Sequence, residues 1–120
     1  MSKKILIVED EKALVKVLSK ELANSGFKVI SARNGQEGLG LAQTENPDLI
    51  LLDIVMPVMD GVTMLKKLRQ KNDVPVIVLT NLNDKEHLEQ AMAAGSYNFL
   101  VKSNYSLADI INKINQILSK

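Results

Sequence analysis

Apolar residues in this chain gather into five short runs set between longer amphipathic stretches. Ile5-Leu6-Ile7-Val8, Leu49-Ile50-Leu51-Leu52, Val76-Ile77-Val78-Leu79 and Phe99-Leu100-Val101 are rich in branched side chains and show little alternation with polar positions. Strands buried on both faces have this pattern. The run around Lys28-Val29-Ile30 is shorter, which suggests an edge strand. Between the runs the spacing turns helical. Leu14, Leu18 and Leu22 recur every four residues, and Val62, Leu65 and Leu68 every three. Leu88, Ala91 and Met92 form another stripe, and Leu107, Ile110, Ile111, Ile114, Ile117 and Leu118 a longer one. A helix from about Asn34 to Glu45 is weakened by Gly38 and Gly40. Strand and helix alternate five times, which predicts an α/β domain with helices on both faces of a parallel sheet.

Turn and cap residues agree with these boundaries. Gly26 stops the first helix, Asn34 caps the second, and Asn46-Pro47-Asp48 breaks it. Asn72-Asp73 and Pro75 set off the fourth strand, and Gly95 ends the fourth helix. Ser106, with Asp109 three residues on, caps the last helix.

A chain of 120 residues supports one core and one domain, residues 1–120. The last helix closes it, so no output domain is expected within it. A net charge of +1 gives no bulk attraction to nucleic acid or membrane. No apolar run approaches the ~20 residues of a membrane span, and four apolar residues after Lys4 are too few for a signal peptide. The cytoplasm is therefore the expected location. With no cysteine there are no disulfides or thiolate metal sites.

The chemistry lies where the runs stop. The first meets Glu9 and Asp10, the third Asp53, the fourth Thr80 and the fifth Lys102. In an open α/β sheet, ligands bind beyond the carboxyl ends of the strands, where the strand order reverses. Taken singly, each residue has an ordinary reading. Glu9 is a solvated loop acid, Asp10 a helix cap, Thr80 a turn residue and Lys102 a surface lysine. Together they bring three carboxylates, a hydroxyl and an ammonium to one edge. The carboxylates would repel one another without a cation. Mg²⁺ suits oxygen ligands of this kind, whereas a single histidine, His87, makes zinc a poor candidate.

In these residues the chain resembles the receiver domains of two-component response regulators, of the chemotaxis-regulator type. The resemblance runs through the acidic pair, Leu52-Asp53-Ile54-Val55-Met56-Pro57-Val58-Met59-Asp60-Gly61, Leu79-Thr80 and Phe99-Leu100-Val101-Lys102. It implies a flavodoxin-like (βα)5 fold, a three-layer sandwich with a five-stranded parallel sheet of order 2-1-3-4-5. It also implies that Asp10, Asp53 and the Val55 carbonyl hold Mg²⁺, with Glu9 acting through water. Asp53 would accept a phosphoryl group from a sensor histidine kinase or phosphotransfer protein, and Lys102 and Thr80 would contact the phosphate. Thr80 and Phe99 would then switch the surface of the fourth helix, fifth strand and fifth helix toward a downstream protein. The domain would catalyse only its own phosphorylation and dephosphorylation. It would be a monomer or a phosphorylation-dependent dimer, without direct nucleic-acid binding.

Two positions depart from the family pattern. Ser103 stands where proline is usual after the lysine, and Asn81 where a small residue is common. Other functions fit less well. A phosphatase with an aspartyl intermediate wants a second Asp at Val55. A flavin site would be repelled by Glu9-Asp10-Glu11. A phosphorylation-independent interaction module on the same fold would not need the acidic set. Val55 and Leu82, two residues after Asp53 and Thr80, are apolar and unable to orient an attacking water, which predicts a long-lived aspartyl phosphate. After donor removal the phosphorylated mass should decay more slowly in wild type than in Val55→Asn; equal or faster wild-type decay would show that these positions do not set the lifetime.

Overall fold

Ten elements alternate along the chain in the computed structural model. It describes residues 3–53, 61–71, 73–80, 85–95, 98–101 and 106–119, but not the side chains of Thr80, Lys85, His87, Leu88 and Val101. The order is β1 (Lys4–Val8), α1 (Lys12–Asn24), β2 (Lys28–Ala32), α2 (Gly35–Glu45), β3 (Leu49–Asp53), α3 (Gly61–Arg69), β4 (Val76–Thr80), α4 (Lys85–Ala93), β5 (Asn98–Val101) and α5 (Leu107–Leu118). All neighbouring strands pair in parallel, in the order β2-β1-β3-β4-β5. This is the flavodoxin-like (βα)5 arrangement expected from the sequence.

The unbroken apolar runs follow from helices on both faces of the sheet. Alternate strand residues point to opposite sides. Leu6, Val8, Ile50, Leu52, Val76 and Val78 pack with Ala42 of α2, Leu65 and Leu68 of α3 and Ala91 of α4. Ile5, Ile7, Leu49, Leu51, Ile77 and Leu79 pack with Leu18 and Leu22 of α1 and Ile110 and Ile114 of α5. One side therefore carries α2, α3 and α4, and the other α1 and α5.

The punctuation acts largely as expected. The Asn34 side chain accepts from the Glu37 N–H at 2.9 Å, capping α2. Asn46 ends that helix in the left-handed region, at φ 48°. Ser106 Oγ accepts from the Asp109 N–H and Asp109 Oδ2 from the Ser106 N–H, so both halves of the capping box on α5 are made. Asp10 does not cap α1; the cap position is Glu11, whose side chain makes no capping bond. Met92, expected to pack inward with its stripe, is 43% exposed. Successive helical residues are about 100° apart, so burying Ala91 turns Met92 to the flank. Met64 is fully buried, and Met56 and Met59 lie outside the described residues.

The two glycines that weaken α2 have unlike surroundings. A Cβ on Gly38 would stand 2.8 Å from Val8 Cγ2, a short side chain locked in the core, whereas one on Gly40 would meet nothing within 4 Å. Replacing a helical glycine by alanine gains roughly 0.5–1 kcal/mol, and overpacking a core costs about 1–3 kcal/mol. Gly40→Ala should therefore stabilise the fold and Gly38→Ala destabilise it by about 1 kcal/mol. Urea midpoints at constant slope test this; shifts of the same sign would contradict the packing of α2 on Val8.

Candidate metal and phosphoryl site

Parallel pairing of β1 with β3 brings the acids together. Val8 lies opposite Leu52, so Glu9 and Asp10 leave the sheet beside Asp53. The Glu9 N–H donates to the Ala32 carbonyl at 3.0 Å, which carries the β1–β2 pairing one residue past the strand. The Glu9 side chain then turns inward. Its Oε2 accepts from the N–H groups of Asp10 at 3.1 Å and Glu11 at 3.3 Å. Glu9 is 1% exposed and Asp53 6%, while Asp10 is open to solvent. The most exposed of the three acids is therefore Asp10.

One oxygen from each of Glu9, Asp10 and Asp53 lies within 4.8 Å of the other two. Two unit charges at that separation repel by about 3–4 kcal/mol at an effective dielectric of about 20, and by less where water reaches Asp10. Folding thus concentrates negative charge here, and two of the three side chains are out of water. Two oxygens bound to Mg²⁺ at about 2.1 Å stand no more than about 4.2 Å apart. The cluster is close to that span, and its donors are all hard carboxylate oxygens. The residues present fit a hard divalent cation.

The remaining expected residues are placed less fully. Thr80 ends β4 and pairs with Val101, so its backbone reaches the same edge of the sheet; its side chain is not described. Val55 and Lys102 lie outside the described residues, as do Asn81, Leu82 and the Lys102–Ser103 peptide. Phe99 lies opposite Val78 and packs, partly buried, against the α2–α3–α4 side of the core.

Sequence reasoning missed one feature. A cavity of about 220 Å³ opens between the start of α1 and the end of β2, and Arg33, which had no assigned part, lines it with Lys12 and Lys16. Lys12 and Lys16 share one face of α1, but Arg33 lies far along the chain and only the β1–β2 pairing brings it beside them, so no motif marks the three.

The response regulator receiver domain model matches residues 5–115. The alkaline phosphatase synthesis transcriptional regulatory protein PhoP of Bacillus subtilis is 36% identical over all of this chain and 50% of its own length. This chain spans about half the length of the first curated relatives it matches. The receiver domain of Francisella response regulator 1452 is 32% identical, with a TM-score of 0.87 over 97% of this chain and 96% of that one. The signal receiver domain of a signal transduction histidine kinase from Syntrophus aciditrophicus is 30% identical, with a TM-score of 0.89 over 98% and 91%.

The acid cluster generates a direct expectation. Asp10→Ala should weaken Mg²⁺ binding roughly tenfold or more, a loss of about 1.4 kcal/mol or more. It should also raise the melting temperature in chelator by relieving repulsion. Titration and melting of both proteins, with and without Mg²⁺, provide the check; an unchanged Mg²⁺ affinity would remove Asp10 from the site.

Proposed function

This chain belongs to the response regulator receiver domain family, and from that footing we propose that Asp53 is its phosphoryl acceptor. The observation that carries the reading is the convergence of the Glu9, Asp10 and Asp53 carboxylates within 4.8 Å at the carboxyl edge of a parallel sheet. Asp10, Asp53 and the Val55 carbonyl would hold Mg²⁺, with Glu9 acting through water. When bound, Mg²⁺ offsets the negative charge between the acceptor carboxylate and the incoming phosphoryl group. An Asp53 oxygen attacks phosphorus as the bond from phosphorus to the histidine nitrogen of the donor breaks, and the nitrogen keeps that electron pair. The enclosed position of Asp53 limits competing attack by bulk water. Lys102 places a compact positive charge on a phosphate oxygen, and the Thr80 hydroxyl donates to another.

The donor is a sensor histidine kinase or a phosphotransfer protein, in keeping with the family. Phosphorylation draws Thr80 toward the phosphate and Phe99 inward. Phe99 already packs against the core beside β4, so its movement repacks the α4–β5–α5 surface that a downstream protein reads. The domain acts as a monomer or a phosphorylation-dependent dimer and does not itself bind nucleic acid. It turns over only its own phosphate. Among the described residues no helix is long and apolar enough to cross a membrane.

Incubation with Mg²⁺ and acetyl phosphate should add one phosphoryl group to the intact mass, and none to Asp53→Asn. A phosphorylated Asp53→Asn protein would refute the assignment of the acceptor. Kinase contact falls on α1, where Val17 is 49% exposed beside exposed Ala13. Val17→Glu should slow transfer from a kinase and leave acetyl phosphate labelling intact; equal loss of both would point to damage of the fold.

A further inference from the structure

The cavity between α1 and β2 lies on the opposite side of β1 from Asp53. Its walls come from the end of β1, the first turns of α1 and the end of β2, with none from β3. Val15 gives it apolar surface, while Ala32 borders it but is 1% exposed and packs into the core on the other face of the sheet. Lys12, Lys16 and Arg33 add three cations, and Glu9 and Asp10 form the wall shared with the acid cluster. Its volume is about 220 Å³. A cavity of about 150 Å³ is enough for benzene, so this one has room for a small ring or short chain together with a charged group.

The cations stand where local structure does not favour them. Lys12 is the first residue of α1, and Lys16 follows one turn later. The amino end of a helix carries partial positive charge and favours acids. Here the first turn has no acidic residue and Glu11 makes no capping bond. Two lysines four residues apart also repel each other along the helix. Among the described residues neither lysine enters an ion pair. Arg33 pairs with Glu37 at 3.6 Å, but that pair is solvent-exposed and contributes little. An anion in the cavity would relieve all three cations and complement the open end of α1.

We propose that this cavity binds a small organic anion. Its apolar body lies against Val15, and its carboxylate or phosphate sits among Lys12, Lys16 and Arg33. Binding is coupled to the acid cluster. Glu9 and Asp10 carry negative charge toward the three cations; a divalent cation at those acids reduces that opposition. The anion therefore binds more tightly in Mg²⁺, and by linkage Mg²⁺ binds more tightly with the anion present. Only the coupling rests on the metal reading of the acid cluster; the location of the anion does not.

The test is a titration of the isotope-labelled full chain, followed by amide chemical shifts at constant ionic strength. The probes are phenyl phosphate, benzoate and inorganic phosphate, each with and without Mg²⁺. Phenyl phosphate, benzoate or both should shift the Val15 and Ala32 amides saturably, and the tighter of the two identifies the charged group. Affinity should rise at least threefold in Mg²⁺. Inorganic phosphate should bind at least tenfold more weakly, because it leaves the Val15 surface uncovered. Lys16→Glu with Arg33→Glu, both at exposed positions, should weaken binding at least tenfold in a protein whose remaining spectrum is unchanged. Absence of saturable shifts at Val15 and Ala32 in Mg²⁺, or shifts that survive the charge reversals, would overturn the site. Equal binding of inorganic phosphate would overturn the role of Val15. Binding indifferent to Mg²⁺, while the Leu52 and Asp53 amides still report Mg²⁺ uptake, would overturn the coupling alone. Failure of that uptake would instead count against the acid-cluster reading.

Discussion

Parallel pairing of β1 with β3 is the constraint on which the rest depends. It places Val8 opposite Leu52, and the next residues out of the sheet are acids on both strands. A strand shifted by one residue would exchange its two faces. In this sheet that would turn Leu6 and Val8 toward α1 and α5, and Ile5 and Ile7 toward α2, α3 and α4. Both faces are tightly filled, so hydrophobic packing holds the register. The same register forces the carboxylates together. Burial of the core thus sustains an electrostatic arrangement that would not assemble by itself.

Much of this was readable in the sequence because the signals were local or strongly periodic. Continuous apolar runs meant strands covered on both faces, and the two core clusters divide each run between the faces accordingly. Asn34 and Ser106 act through bonds to residues close in the chain, and Asn46 through its own left-handed backbone, so each could be read from a few letters. The acid site was also legible, since every candidate followed directly on a run. Strand order was different in kind. It came from family resemblance, because parallel neighbours are chosen by packing that periodicity does not encode.

What escaped the sequence depended on orientation and on distance. Asp10 and Glu11 are adjacent acids before a helix, and nothing local says which stands at the cap; the turn that buries Glu9 decides it. Met92 belongs to an apolar stripe, yet one step of helical rotation from Ala91 exposes it. Gly38 and Gly40 look alike as helix weakeners, and only the approach of Val8 distinguishes them. The cationic cavity needs the whole β1–α1–β2 crossover before its walls exist.

The order in which contacts can form gives the acid cluster a kinetic meaning. Glu9 and Asp10 are adjacent in the chain, but Asp53 reaches them only after α1, β2 and α2 have been crossed and β3 has docked. Contacts of such sequence separation are slow to close. The repulsion is therefore absent from the unfolded chain and from any early β1–β2 pairing. A destabilising interaction that forms late speeds unfolding and leaves the folding rate almost untouched. The cluster would then act as a release: without a cation the domain opens sooner, while the route back to the native sheet is unaltered.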